Sequence, residues 1–171
     1  MNAITPRYKA TIFDIDFTLL DTEAFIFEAF YFTLKRTNIP QVSSEALKKL
    51  MGTSLEEIYK TLAPDKETAT LAKIHRDFQA ENIHLVTSFP NTEETLIKIK
   101  QAKIKIAAVT TRSKLNSQKT LEATKIMPYI DVLISKEDVP EDELKPHPRP
   151  ILQALKQLEV RADELEQRQL V

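Results

Sequence analysis

Three short apolar segments that alternate with helical patterns constrain the fold of this chain more than any other feature. The segments are rich in β-branched residues, which is typical of buried strands, and they cover residues 10–14, 104–110 and 130–134. Helical patterns lie between and after them, at residues 92–102, 113–124 and 150–158. Parallel strands need a crossover connection, usually a helix. The order therefore predicts an α/β domain with a parallel sheet.

A block of consecutive helical patterns interrupts this alternation directly after the first strand. It spans residues 22–82 and reads as four helices, with Thr22 as a candidate N-cap of the first. The pattern changes again at residues 86–90. We therefore predict two domains, a sheet-containing core of residues 1–20 and 86–171 and an inserted helical domain of residues 21–85.

Charge and cysteine content exclude several classes of function. The net charge of −1 over 171 residues provides no basic surface for nucleic acid or an anionic membrane. Cysteine is absent, which excludes disulfides and thiolate metal sites. No apolar run has the length of a membrane span, and residues 1–9 do not resemble a signal peptide. We expect a cytoplasmic protein that binds neither nucleic acid nor membrane.

Glycine is almost missing from the chain. Gly52 is the single glycine, where average usage would give about twelve. Glycine-rich phosphate loops and dinucleotide fingerprints are therefore excluded. Backbone positions that require a positive φ must be filled by Asn, Lys or another residue.

Two carboxylates, Asp14 and Asp16, stand where the first predicted strand ends. A pair of aspartates in a turn can simply be solvated. At the carboxyl end of a buried strand, however, they lie where α/β proteins build ligand crevices. One carboxylate can attack phosphorus while the other transfers a proton. Because two such acids repel each other, we expect a divalent cation or a lysine beside them.

Hydroxyl and amino groups follow the other two predicted strands. Thr110 and Thr111 end the second strand, and their hydroxyls could bind phosphate oxygens. Arg112 comes next and is either a further donor or a surface residue. Lys145, which precedes Pro146, is either a solvated charge or a cation that neutralises a phosphoryl group. The three histidines show no metal-ligand spacing and are interpreted as non-ligands.

These segments resemble the motifs of the haloacid dehalogenase superfamily, in particular its branch similar to phosphoglycolate phosphatase and β-phosphoglucomutase. Residues 13–23 resemble the first motif, residues 106–111 the second and residues 145–148 the third. The resemblance implies a Rossmann-like parallel sheet with an inserted four-helix cap that closes over the site and selects the substrate. It implies a Mg²⁺-dependent phosphomonoester hydrolase that acts on a small phosphorylated metabolite through an aspartyl-phosphate.

The resemblance also assigns roles to individual residues. Asp14 would be the nucleophile and Asp16 the general acid and base, and both would bind Mg²⁺, Asp16 through its backbone carbonyl. Thr110, Thr111 and Lys145 would bind the phosphoryl group. One position departs from the family: Phe17 stands where glycine is usual, and we expect its side chain to narrow the site or to pack under the cap.

The fourth motif of the family has no counterpart before Val171, so the sequence predicts a sheet that is incomplete at its C-terminus. Residues 167–171 resemble the opening of the strand that would precede that motif. On this reading the 171-residue chain is truncated and has little or no activity, and the first strand is an exposed edge through which chains could form a homodimer or a swapped assembly. Two alternatives stay open: a non-catalytic binding or regulatory protein, and a phosphosugar mutase.

Overall fold

A computed structural model describes residues 8–166 of the chain. Within them the strands are β1 Ala10–Phe13, β2 Leu20–Asp21, β3 Thr87–Ser88, β4 Lys105–Val109, β5 Val132–Ile134 and β6 Leu165–Glu166. The α-helices are α1 Glu23–Arg36, α2 Ser44–Leu50, α3 Leu55–Leu62, α4 Thr68–Glu81, α5 Thr92–Gln101, α6 Lys114–Ala123 and α7 Arg149–Leu158. Short 3₁₀ turns connect several of these elements.

Four strands form a parallel sheet in the order β5-β4-β1-β6. In the register Ala10 pairs with Lys105, and Phe13 pairs with Ala108. The strands reach this order through helical crossovers, as parallel pairing requires. The predicted α/β fold with a Rossmann-like parallel sheet and an inserted group of four helices is confirmed.

The position of β1 in the sheet corrects one premise of the sequence analysis. β1 is not an edge strand, because β6 pairs with it at Ala10 and Thr11 on the side away from β4. The predicted strand opening at residues 167–171 lies outside the described residues. Association of two chains was predicted from an exposed β1 edge, and it stays a prediction.

Within the described residues the chain divides into two compact units. The sheet unit comprises residues 8–21 and 86–166, and the helical unit is Thr22–Leu85. In the sheet unit, α7 packs on the sheet and buries Ala154, Leu155 and Leu158 against small and β-branched strand residues. In the helical unit, α1 packs on α4 and α3 packs on α4. The core of the helical unit contains the large side chains of Phe27, Phe30 and Tyr59.

Serine side chains cap three of the seven α-helices within residues 8–166, namely α2, α3 and α6. Ser43 caps α2, and Ser54 forms a capping box with Glu57 at the start of α3. Thr22, the predicted N-cap of α1, makes no capping hydrogen bond, and its Oγ1 is buried without a hydrogen-bond partner. The start of α4, at Thr68, also lacks a side-chain cap.

Residues other than glycine occupy most of the left-handed backbone positions, as the shortage of glycine predicts. Apart from Gly52, positive φ angles occur within residues 8–166 at Phe17, Asn38, Asn91, Lys103, Lys125 and Glu159. Phe17 is the unusual member of this group, because a bulky side chain rarely adopts a φ of 59°. It lies directly after Asp16, so the backbone there is strained beside a candidate site residue.

Candidate active site

The turn after β1 determines where the two aspartates lie. The Ile15 carbonyl accepts hydrogen bonds from the backbone N–H groups of Thr18, Leu19 and Leu20, at 3.4, 3.0 and 3.0 Å. Phe17, in its left-handed conformation, donates its N–H to the Leu20 carbonyl at 2.9 Å. These bonds close a tight turn that begins where β1 ends, and they hold Asp14 and Asp16 at the carboxyl edge of the sheet.

Lys145 lies against Asp14. Its Nζ is 3.1 Å from Asp14 Oδ2 and donates a hydrogen bond of 2.6 Å to the Val109 carbonyl at the end of β4. The other oxygen of Asp14, Oδ1, accepts a hydrogen bond of 2.7 Å from the Ile15 N–H. The Asp14 side chain stays 48% exposed. A carboxylate that is accessible to solvent and has a cation beside it can contact a phosphoryl group.

Thr110 lies at the same edge, directly after β4. It is buried, and its N–H donates to the Ile134 carbonyl at 2.9 Å. Its Oγ1 accepts a hydrogen bond of 3.2 Å from the Arg112 N–H. Thr111 follows it and is exposed. Of the predicted phosphate ligands, Lys145 contacts Asp14 directly, and Thr110 is linked to Asp16 through Arg112. Their roles stay predictions.

Arg112 also belongs to this cluster of charged side chains. The sequence left open whether Arg112 is a site residue or a surface residue. Its guanidinium Nη1 is 3.2 Å from Asp16 Oδ1 and 3.4 Å from Thr120 Oγ1 on α6. The Arg112 side chain is 14% exposed and that of Asp16 is 20% exposed. The sequence signal was its position two residues beyond the strand end at Thr110, but the contact itself joins residues 96 positions apart.

Each aspartate therefore has its own cation. Asp14 pairs with Lys145 and Asp16 pairs with Arg112. The repulsion expected between two neighbouring carboxylates is offset by these two positive charges. The sequence predicts a lysine or a divalent cation beside the two acids, and the structure places a lysine and an arginine there.

The loop that follows β5 supports the site from the other side. The Lys136 N–H donates to the Arg112 carbonyl at 3.1 Å. Asp138 Oδ2 accepts hydrogen bonds from the N–H and the hydroxyl of Ser135, at 2.8 and 2.6 Å. Partial burial opposes ionisation of Asp138, but the bonds from Ser135 and the nearby Lys114 outweigh it and lower the pKa of this carboxyl. The ionised carboxylate of Asp138 thus holds the loop beside Arg112 through its hydrogen bonds with Ser135.

The described residues offer oxygen ligands of the kind that Mg²⁺ prefers. Asp14 offers a carboxylate oxygen and Asp16 a backbone carbonyl oxygen on one turn, and water can complete the shell of this ion. No group of three or more His, Asp or Glu side chains that could hold a metal occurs within residues 8–166. The residues present thus fit Mg²⁺ as two of its ligands.

The site lies in a fold that recurs among known hydrolases. A family model described as haloacid dehalogenase-like hydrolase matches residues 11–165. The crystal structure of a haloacid dehalogenase-like hydrolase from Bacteroides fragilis is 25% identical, covers 92% of this chain and 76% of that one, and has a TM-score of 0.79. The structure of a predicted phosphoglycolate phosphatase from Haemophilus somnus is 22% identical, with coverages of 94% and 76% and a TM-score of 0.81.

A curated relative points to the same class. Pyrophosphatase PpaX of Bacillus cereus (strain B4264) is 26% identical over 158 residues, which are 92% of this chain and 72% of that protein. The fold, the paired carboxylates and these matches define an enzyme of the phosphatase type. The chain belongs to the haloacid dehalogenase-like hydrolases.

None of the helices within residues 8–166 is both long enough and apolar enough to cross a membrane.

Proposed function

We propose that this protein is a Mg²⁺-dependent phosphomonoester hydrolase that acts on a small phosphorylated metabolite through an aspartyl-phosphate. The observation that carries the proposal is the contact of 3.1 Å between Lys145 Nζ and Asp14 Oδ2, at a half-exposed carboxylate. A cation in this place attracts the negative phosphoryl group toward the carboxylate. The second acid, Asp16, lies two residues away on the same turn.

In the first step a carboxylate oxygen of Asp14 attacks phosphorus. The bond between phosphorus and the leaving oxygen breaks, and Asp16, protonated at this stage, gives its proton to that oxygen so that an alcohol leaves. In the second step water attacks the phosphorus of the aspartyl-phosphate and loses a proton to Asp16. The bond to Asp14 breaks, and inorganic phosphate is released with Asp14 again ionised.

Three residues are proposed to bind the phosphoryl group. Lys145 neutralises its charge, and the hydroxyls of Thr110 and Thr111 donate to its oxygens. Thr110 is the better supported of the two, because it directly follows the strand whose last carbonyl accepts from Lys145. Thr111 follows it and is exposed, so it is accessible to a ligand.

Mg²⁺ is proposed to bind at the carboxylate of Asp14 and at Asp16, with water in its other positions. Bound there, it supplies positive charge that stabilises the transferring phosphoryl group. The Asp14 carboxylate already pairs with Lys145, so the ion has to compete with that amino group. We therefore propose that this 171-residue polypeptide binds Mg²⁺ weakly and turns over slowly.

The partner is proposed to be a small molecule rather than nucleic acid or membrane, in the cytoplasm. The net charge of −1 and the absence of cysteine support this. The names of the relatives suggest phosphoglycolate and pyrophosphate as first substrates to test. Self-association of two chains through the edge of the sheet is a separate proposal. Within the described residues β6 pairs with β1 at Ala10 and Thr11. A monodisperse monomer in light scattering would count against self-association.

The function is tested by phosphate release from p-nitrophenyl phosphate, phosphoglycolate and pyrophosphate, with and without Mg²⁺. We expect slow release that depends on Mg²⁺ and is lost in Asp14→Asn and Asp16→Asn. Asp163→Asn is the matched control, because Asp163 forms an exposed pair with Arg161. Phosphate release by Asp14→Asn at the rate of the unmodified chain would refute the proposal, and transfer of phosphate within a sugar phosphate without release would indicate a mutase.

A further inference from the structure

We propose that Arg112 is a positioning residue that holds the carboxylate of Asp16 where it can exchange a proton with the leaving group. This inference rests on the proposed function, because it assigns Asp16 the role of acid and base. It concerns a residue whose type and position in the sequence were equally compatible with a surface charge.

The side chain of Arg112 is anchored at both of its contacts. Its Nη1 lies 3.2 Å from Asp16 Oδ1 and 3.4 Å from the hydroxyl of Thr120. Thr120 is completely buried on α6, and its hydroxyl donates in turn to the carbonyls of Asn116 and Ser117, at 3.1 and 3.0 Å. The guanidinium is therefore linked to a rigid helix rather than to a mobile loop.

The backbone of Arg112 is held as well. Its N–H donates to Thr110 Oγ1 at 3.2 Å, and its carbonyl accepts from the Lys136 N–H at 3.1 Å. The next residue, Ser113, caps α6 by accepting from the Asn116 N–H. Two backbone bonds and two side-chain contacts fix the position of the guanidinium. A planar guanidinium held in this way limits the orientation of the carboxylate beside it.

Two other roles for Arg112 predict different behaviour. If Arg112 bound the phosphoryl group directly, its loss would weaken the binding of every substrate and raise KM. If it only stabilised the fold, its loss would lower the rate with all substrates alike. A residue that acts through Asp16 matters most when the leaving oxygen needs a proton, because general acid catalysis assists poor leaving groups.

The principal experiment compares leaving groups. Single-turnover rates of Arg112→Gln are measured with p-nitrophenyl phosphate, whose leaving group needs little protonation, and with an alkyl phosphate, whose leaving group needs a proton. We expect the alkyl phosphate rate to fall by about tenfold or more and the p-nitrophenyl phosphate rate to stay within about threefold, with KM unchanged for both. Arg112→Lys keeps the positive charge but lacks the planar guanidinium with its fixed N–H donors. We expect it to recover only part of the lost alkyl phosphate rate.

Two further variants keep the experiment interpretable. Thr120→Val removes the hydroxyl that contacts Arg112 without changing the volume much, and we expect the same selectivity between leaving groups with a smaller loss. Arg161→Gln is the matched control on an exposed arginine that pairs with Asp163. It should leave both rates unchanged.

A second measurement does not depend on turnover. Urea midpoints of Arg112→Gln, Asp16→Asn and the double variant report whether the two side chains are coupled. We expect the urea midpoint of the double variant to be at least as high as that of the less stable single variant. Additive losses of stability would overturn the inference, even if the chain proves to be a hydrolase.

The remaining outcomes separate this inference from the proposed function. Equal losses with both substrates, or a raised KM, would overturn the positioning role while the hydrolase proposal survives. If the unmodified chain releases no phosphate with any substrate, the proposed function fails, and the catalytic role of Arg112 fails with it. Coupled stabilities together with a loss confined to the alkyl phosphate support the inference.

Discussion

The sheet unit and the helical unit are stabilised in different ways. Most buried strand positions of the sheet unit carry small or β-branched side chains, among them Ala10, Ile106, Ala107, Ala108, Val109 and Ile134. The helical unit instead packs aromatic rings, with Phe30 at 5.3 Å from the Tyr59 ring and 4.5 Å from the His75 ring. Small side chains let helices pack close to a sheet, and aromatic rings bury much area per residue. Stability is therefore spread over many residues in the first unit and concentrated in a few in the second.

The two units also treat polar groups differently. The sheet unit places two ion pairs at its carboxyl edge, where Asp14 and Asp16 stay partly exposed. The helical unit buries a polar pair, the Tyr59 hydroxyl and His75 Nδ1, at 2.9 Å from each other. Burial raises the pKa of Tyr59 far above its usual range, which keeps the hydroxyl neutral. A buried polar pair specifies one packing arrangement, whereas an exposed charged edge leaves room for a ligand.

The largest expected effect is the loss of the central ring of the helical unit. Phe30→Ala removes a side chain that is 1% exposed and contacts both Tyr59 and His75. We expect the free energy of unfolding to fall by about 3–5 kcal/mol. Phe32→Ala, on the same helix but partly exposed against Phe78, should cost about 1 kcal/mol. Urea unfolding measures both, and equal losses would contradict the concentration of stability in the aromatic cluster.

A smaller effect is expected from the buried polar pair. Tyr59→Phe removes the hydroxyl that contacts His75 and should cost about 1–2 kcal/mol, because a buried hydrogen bond is lost. Tyr129→Phe makes the same change in the sheet unit, where the hydroxyl donates to Glu93 at the surface. There we expect a change below about 0.5 kcal/mol. The idea that only the helical unit depends on a buried polar pair fails if the two variants lose the same stability.

Asp138 in the sheet unit should produce a dependence on pH. Its pKa is lowered in the folded chain, because its hydrogen bonds from Ser135 and Lys114 outweigh partial burial. A lowered folded pKa stabilises the protein above the unfolded pKa, and this contribution is lost as the pH falls below about 4. Asp138→Asn cannot titrate, so the stability difference between the two proteins should shrink between about pH 5 and about pH 2. Thermal unfolding across this range tests it, and a constant difference would contradict the assignment.

The smallest effect concerns the turn between the two aspartates. Phe17 has a φ of 59° and a side chain that is 43% exposed. Phe17→Gly and Phe17→Ala both remove the ring, but only glycine removes the steric cost of the left-handed backbone. We expect the glycine variant to be more stable than the alanine variant by about 0.5–1 kcal/mol. Urea midpoints decide, and an alanine variant of equal or greater stability would show that the backbone there is not strained.

Much of the fold is predictable from the sequence because its signals are local. Apolar strands, the serines that cap α2, α3 and α6, and the alternation of strand and helix all act within a few residues. The paired strands β2 and β3 were missed because each has two residues and leaves no periodic pattern. The placement of β6 beside β1 was missed as well, since pairing across 155 residues has no local signal.

The candidate site divides in the same way. Asp14, Asp16, Thr110 and Lys145 were predicted because they lie at or just beyond the end of a predicted strand or begin a proline-rich turn, and their roles stay predictions. Arg112 has an ordinary sequence context, and its significance comes from a contact between distant residues. The left-handed conformation of Phe17 was also missed, because a phenylalanine does not indicate a positive φ.

The central position of β1 has a consequence for the order in which the chain is made. β1 is the first strand to be synthesised, yet its partner on one side begins at Lys105, 95 residues later. At ribosomal rates of about 5–20 residues per second, this apolar strand waits about 5–20 seconds for β4. The contacts of the helical unit are more local and can form during that interval. An emerging chain thus carries an unpaired strand beside a folded helical unit, and this is the stage at which we expect a chaperone to be needed most.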